Sequence, residues 1–515
     1  MMPDTLEDKT LYIRKKNESY LEVLAVDSIL MSLSDFFSFF VPGYQFMPKF
    51  RMKMWDGKLR LFNRNTCEIY VGLLPHIKEY ARMNNYIVEY SDGDLDIEDE
   101  FSVEEAKSFA SELKLHAKRI EGDKEVFVPI VPHDYQIAAF RHAVQTKRCL
   151  LLSPTASGKS LIIFLLIRHY QKIIESHRKI LVIVPTVNLV SQLYTDFGEY
   201  SYADNWDVRD EVHMVYQGQD KGSEKQIIIS TWESIYKLGI DYFGNFDVVI
   251  GDEAHGFKAN SLTNIMQRSY KAQYRFGTTG TLDGTKTHKL VLEGLFGKVY
   301  KVTTTNELMK QGTLATMNIN CLMLYYPEDI CKKMKGAKYQ DEVSFIVEHK
   351  GRNKFIRNLA VSLKGNTLVL FNLVDRHGKI LFEDIKTKVA EGRKVFFVSG
   401  QTDAEIREDI RQITEKENDA IIVASYGTFS TGVNIRNLHN IIFASPAKSR
   451  IRVLQSLGRG LRKGDIKDTL ELFDVSDVLQ YKAYTNHTLK HFMRRVEIYN
   501  SEKFSYKIFK IRMKS

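Results

Sequence analysis

Leu150-Leu-Leu-Ser-Pro-Thr-Ala-Ser-Gly-Lys-Ser160 joins an apolar run to a loop of small residues and then to a helical stretch opening at Leu161. Strand, loop and helix in that order form a P-loop, because the backbone N–H groups of the loop and of the helix N-terminus converge on one point and can cradle phosphate. Pro154, Thr155, Ala156, Ser157 and Gly158 then form the cradle, Lys159 reaches the β and γ phosphates, and the Ser160 hydroxyl ligates magnesium. ATP and Mg2+ are therefore the expected cofactors. Ser153 stands where the general pattern has Gly, so a Gly-Lys-Ser turn without a ligand is the competing reading.

Outward from this loop, between about residue 126 and residue 480, short apolar runs alternate with helix-length stretches. Cys149–Leu152, Ile180–Val184, Gln226–Ser230 and Val248–Ile250 make a first set. Thr367–Phe371, Val395–Val398, Ile421–Ala424, Ile441–Ala444 and Leu470–Phe473 make a second. Nearly continuous apolar runs belong to parallel strands covered on both faces, so the spacing predicts an α/β fold with two units in tandem.

Phe246-Asp-Val-Val-Ile-Gly-Asp-Glu-Ala-His255 is an apolar strand ending in two acids. If that strand lies next to the P-loop strand, Asp252 can hold magnesium and Glu253 can orient or deprotonate an attacking water. Alone, the acid pair reads as a surface turn; the P-loop upstream makes the catalytic reading the better one. Gln455-Ser-Leu-Gly-Arg-Gly-Leu-Arg462 lies in the second unit, and in a helix Arg459 and Arg462 share a face. Two guanidiniums offered to a bound triphosphate act as arginine fingers, against the plainer reading of a solvated basic face.

Basic residues gather near both ends, in the C-terminal stretch and in a short N-terminal segment around residues 49–64. The 515 residues hold 73 Lys+Arg against 64 Asp+Glu, and from 481 to 515 there are nine Lys/Arg against Glu497 and Glu502. Aromatic residues are interleaved with them, a composition suited to phosphates and bases, or to a segment docked on its own domain. Near the other end, two alternating runs flank Asp56-Gly57, which predicts a hairpin across Phe50–Asn63. One face of that hairpin would present Arg51, Lys53, Trp55, Lys58 and Arg60 to a phosphate backbone; the alternative is an ordinary half-buried hairpin. Between these parts, Ser102-Val-Glu-Glu105 predicts a capped helix closing an N-terminal domain near residue 125.

The four cysteines are far apart and form no C-x-x-C pair, which argues against a disulfide scaffold or structural zinc. No apolar run approaches the roughly 18 residues of a membrane span, and the polar, acidic start is unlike a targeting signal. No membrane partner is expected, and the cytoplasm is the expected location, that of the host cell if the chain is phage-encoded.

In their order along the chain these motifs resemble those of superfamily 2 helicases of the DEAH-box kind, over roughly residues 126–480. The resemblance implies two RecA-like P-loop domains with parallel sheets, 126–305 and 306–480. A small basic α/β domain, 1–125, precedes them, and a basic aromatic tail, 481–515, follows. His133-Asp-Tyr-Gln136 resembles the glutamine motif, implying that Gln136 reads the adenine edge. Ile183-Val-Pro-Thr-Val-Asn-Leu-Val-Ser-Gln192 resembles motif Ia and Ser230-Thr-Trp-Glu-Ser-Ile235 motif Ib, implying phosphate grips at Pro185, Thr186 and Thr231. Gly277-Thr-Thr-Gly-Thr281 resembles motif III, which links the nucleotide site to the nucleic-acid groove. Ser425 to Ile435 resembles motif V, with Asn434 where the family has Asp. Gln455, Arg459 and Arg462 resemble motif VI, and the resemblance places His255 and Gln455 at the nucleotide.

The whole-chain arrangement is similar to the recombination helicases of T-even-type phages. That likeness implies an ATP-driven motor on single-stranded and branched DNA, acting on forks, Holliday-type junctions and R-loops with their RNA–DNA hybrids, in recombination, replication and repair. The competing readings are an RNA helicase, a duplex translocase, and a binding or annealing protein whose ATPase is incidental.

Overall fold

Side chains alternate across a strand, so an apolar strand in mid-sheet feeds two separate cores. The computed structural model shows this for the strands around the P-loop; it describes residues 7–91, 93, 95, 98–121, 124–216, 220–257, 259–432, 435, 437–446 and 469–513. Seven parallel strands form the first large sheet, in the order Val212–Val215, Ile227–Thr231, Lys179–Val184, Phe246–Gly251, Tyr274–Thr279, Arg148–Leu152, Val299–Lys301. Leu150, Leu181, Ile183, Ile228 and Val249 point into one core, while Cys149, Leu151, Ile180, Val182, Ile229 and Val248 point into the other.

The two cores are closed by different parts of the chain. The first is shared with the N-terminal sheet, whose strands run Glu68–Tyr70, Tyr20–Leu24, Thr10–Lys15, Ile87–Tyr90; Leu11, Ile13, Leu21, Val23 and Ile69 complete it. The N-terminal region and the first α/β domain therefore form one compact unit. Their backbones approach closely: a Cβ on Gly72 would lie 2.0 Å from the carbonyl oxygen of Glu293, so only glycine fits. Around that contact His76 Nε2 lies 2.9 Å from Glu293 Oε2, Gln267 donates to the Tyr70 hydroxyl at 2.8 Å, and Arg148 pairs with Glu18. Arg275, fully buried, donates to Ser19 Oγ at 2.8 Å and to the carbonyls of Met266, Ser269 and Ala272.

The predicted capping box at Ser102 and Glu105 is present and starts the helix Val103–Glu112. That helix does not close the N-terminal domain, however. Ala106 and Ala110 pack into the second core with Phe140, Ile163 and Phe164, on the opposite face of the large sheet.

The expected hairpin over Phe50–Asn63 is also corrected. Pro48 occupies the first turn of a short helix, Pro48–Arg51, and Lys53 takes a left-handed φ of 56°, so the first predicted strand does not form. Lys58–Arg60 is a strand, but its antiparallel partner is Ser38–Phe40. Arg51 thus ends that short helix, and Lys53 and Trp55 lie on the loop after it, rather than on a strand paired with Lys58–Arg60.

The second unit is a sheet of seven parallel strands in the order Val395–Val398, Ile421–Ser425, Thr367–Phe371, Asn440–Phe443, Thr469–Val478, Thr316–Tyr325, Tyr506–Arg512. Residues 481–515, expected as a separate basic tail, supply its last strand and the helix His487–Ser501. Arg495 of that helix is buried and holds both carboxylate oxygens of Asp474 at 2.7 and 2.8 Å, with the Tyr499 hydroxyl at 2.9 Å from the same group. Arg352 is likewise buried against Asp477. Among the described residues no helix is long and apolar enough to cross a membrane.

Candidate functional site

Parallel strands bring their C-terminal ends to one edge, and loops leaving that edge are where an open α/β sheet builds a site. In the first unit the strand Arg148–Leu152 ends in the phosphate loop, and the helix Lys159–Gln171 follows it. Within the loop Ala156 (φ 66°) and Gly158 (φ 75°) take left-handed backbone, which turns successive N–H groups inward. The Ser157 hydroxyl donates to the Pro154 carbonyl at 2.7 Å, and Lys159 Nζ rests 3.4 Å from the Ser153 carbonyl. The Ser160 hydroxyl lies 2.9 Å from that of Tyr200.

Gln136 is buried beside this loop. Its amide oxygen accepts from the backbone N–H of His133 at 2.8 Å, and its nitrogen donates to the Gly158 carbonyl at 3.4 Å. A Cβ on Gly158 would lie 2.3 Å from that nitrogen, so the glycine allows the close approach as well as the turn.

The strand carrying Asp252 is not next to the phosphate-loop strand, contrary to the sequence-based expectation. Tyr274–Thr279 lies between them, and its Thr278 hydroxyl donates to Asp252 Oδ1 at 2.6 Å. Asp252 is buried. Burial, and then the charge of Glu253, raise its carboxyl above the usual range, while Lys159 and the Thr278 hydroxyl pull the other way. Glu253 takes a left-handed φ of 49°, and His255 Nδ1 lies 3.2 Å from a Glu253 carboxylate oxygen and 3.2 Å from the Thr279 hydroxyl. The backbone carbonyl of His255 lies 3.0 Å from Nε2 of the buried His288. Thr278, Tyr200 and His288 were not singled out from the sequence. Thr278 sits inside the Gly277–Thr281 motif, but its partner depends on strand order.

Farther along the same edge, Val184 and Thr231 are directly opposite in neighbouring strands, so Pro185 and Thr186 lie beside Thr231. Thr186 caps the helix Val187–Tyr200 without a side-chain bond of its own, and its buried hydroxyl has no hydrogen-bond partner. Thr231 precedes the short helix Trp232–Ile235, with its hydroxyl 2.8 Å from that of Ser234. One edge thus carries, in order, a phosphate cradle, a threonine-held acid and two threonines at helix starts. Asn434, Gln455, Arg459 and Arg462 lie outside the described residues.

Two seven-stranded parallel sheets in tandem, the first with this edge, define the class: a helicase with RecA-like motor domains. Three sequence families match. Residues 11–91 match "DNA helicase UvsW, N-terminal", 129–284 match "Type III restriction enzyme, res subunit", and 351–464 match "Helicase conserved C-terminal domain". The ATP-dependent DNA helicase uvsW of Enterobacteria phage T4 is 33% identical over 503 residues, covering 95% of this chain and 97% of its own. The crystal structure of T4 UvsW superimposes with a TM-score of 0.51 at 30% identity, over 98% of this chain and 99% of its own. The DNA-bound restriction-modification enzyme LlaBIII shares the fold alone, with a TM-score of 0.55 at 17% identity over 76% of this chain and 32% of its own. The chain belongs to the UvsW family of helicases.

Proposed function

We infer that this chain is an ATP-dependent DNA helicase that unwinds or remodels branched DNA in recombination, replication and repair. The observation that carries this is the order of groups along one sheet edge, from the phosphate loop through Thr278-held Asp252 to Thr186 and Thr231. Kinship with T4 uvsW, named as an ATP-dependent DNA helicase, supports it.

In this reading the backbone of 154–158 and Lys159 bind the triphosphate, and Gln136 reads the adenine. Ser160 and Asp252 hold magnesium, a role suited to a hydroxyl and a buried carboxylate, since hard cations take oxygen ligands. Magnesium supplies charge neutralisation of the phosphates when bound. Ser160 must turn from Tyr200 to do this. Glu253 orients the attacking water and takes its proton, with His255 beside it to relay the state of the site to Thr279. Arg459 and Arg462 add positive charge as the bond to the leaving phosphate breaks, with Gln455 at the nucleotide. Pro185, Thr186 and Thr231 grip a DNA strand by its phosphates, and Arg51, Lys53, Trp55, Lys58 and Arg60 hold a second arm of the junction. The motor works in the cytoplasm, that of the host for a phage-borne chain.

Steady-state ATP hydrolysis with no nucleic acid, single-stranded DNA, duplex DNA, a four-way junction and single-stranded RNA, all at one salt concentration, tests the reading. Stimulation by DNA, greatest with branched forms, is the expected result. Stimulation by RNA alone would replace it with an RNA helicase, and no stimulation would leave a binding or annealing protein.

A further inference from the structure

The loop that replaced the expected hairpin carries more apolar surface than a phosphate grip needs. Phe46 is 73% exposed, Met54 73% and Met52 61%, and Phe40 and Met47 are exposed beside them. Large apolar side chains grouped on one small projection mark an interaction surface. They stand among exposed Lys49, Arg51, Lys53 and Arg60, with Asp56 as the one acid of the segment, already paired with Arg60.

The frame beneath these side chains is stiff. The Tyr44 ring stacks on Phe40 at 4.7 Å and meets Phe50 edge-on at 4.7 Å. Gly57 presses on the same ring, where a Cβ would come within 2.4 Å. Val41 N–H donates to the Gly57 carbonyl at 2.9 Å, Met54 N–H to that of Lys49 at 2.9 Å, and the Trp55 indole to that of Lys58 at 2.8 Å. Phe50, Met54 and Trp55 line an open cleft of about 630 Å³, completed by Gln45, Arg51, Lys53 and Asp56, whose carboxylate is paired with Arg60.

We propose that this segment, residues 43–57, is a site for an unstacked DNA base at a branch point: Phe46, Met52 and Met54 wedge into the stack, and the cleft receives the displaced base. The chemistry favours a nucleic acid over a protein. Apolar wedges between base steps are a recurrent way of opening duplexes, aromatic rings stack on any base, and the surrounding cations match the flanking phosphates. An amide at the rim can pair with a base edge. This inference rests on the helicase reading and adds to it a part that opens the duplex.

The test uses the full-length protein without nucleotide, on forks carrying 2-aminopurine either at the first base pair of the branch or within an arm. Binding should raise the fluorescence at the branch and not in the arm. The pair Phe46→Ala and Met54→Ala, both on exposed side chains, should lose more than half of that rise. It should also lower the preference for fork over duplex about ten-fold, with single-strand-stimulated ATPase unchanged. Phe46→Leu with Met54→Leu should restore both signals. An equal rise with the alanine pair, or no rise with the unaltered protein while DNA still stimulates its ATPase, would overturn the wedge. So would an alanine pair whose sole effect is a change in self-association, which would make the patch a protein interface. Absence of any DNA-stimulated ATPase would instead overturn the helicase reading, and the wedge with it.

Discussion

Lys159 and Thr278 both favour the ionised form of Asp252, one by charge and one by a 2.6 Å hydrogen bond. Replacing Lys159 by Ala should lower ATP turnover by at least about 10²-fold, while DNA affinity stays within about three-fold, since the DNA contacts proposed above lie elsewhere along the edge. Turnover and fluorescence anisotropy measured side by side check this. Thr278→Val keeps the shape but removes a bond to a buried carboxylate, a loss of about 1.5–3 kcal/mol. Turnover should fall about ten-fold or more. Unchanged turnover would mean that Thr278 is only packing. Lys159 and Asp252 were legible because their motifs have a mechanism that is local in sequence. Thr278 was not, because its role comes from strand order: one strand inserted between two others that the sequence presents as partners.

At the scale of elements, local signals held where the local environment decided the outcome and failed where distant pairing did. The capping box at Ser102 is complete within four residues and forms as expected. Asp56-Gly57 is an equally strong turn signal, yet Lys58–Arg60 pairs with Ser38–Phe40, and Pro48 starts a short helix, Pro48–Arg51, where the first strand of the hairpin was expected. The strand Thr316–Tyr325 was missed because Asn318 and Asn320 interrupt its apolar pattern; both amides are satisfied by Glu471 in the neighbouring strand. The basic composition of 481–515 concealed an element anchored by burial. Arg495→Ala would leave Asp474 buried without its main partner, at a cost of about 3–5 kcal/mol. Chemical denaturation of the second unit should show that loss, and a change under about 1 kcal/mol would mean that the helix His487–Ser501 is held by its apolar face alone.

At the scale of the molecule, the N-terminal sheet shares a core with the first motor domain and belongs to the same compact unit. The His76–Glu293 contact makes part of that docking sensitive to acid. Burial alone would raise the Glu293 carboxyl, but His76, the Val299 N–H and Lys289 outweigh it and hold the carboxyl below its ordinary 4.5. Its folded value is depressed, so its contribution is full above about 4.5 and is lost as pH falls through the folded value. Protection of the amides of residues 71–83, taken relative to their intrinsic exchange rates, should therefore fall in that acid range, and Glu293→Gln should remove that fall. Exchange that tracks global unfolding in both proteins would assign the docking to the apolar core instead.

The order of the second sheet also bears on how the protein is made. Thr316–Tyr325 leaves the ribosome first of its sheet, yet its two neighbours, Thr469–Val478 and Tyr506–Arg512, are the last to be synthesised. For most of translation of this unit, that ten-residue strand has both edges open, the condition in which nascent chains pair wrongly or recruit chaperones. A chain that stopped just before residue 506 would keep every motif of the motor, yet its sheet would lack its outer parallel strand and be prone to aggregate.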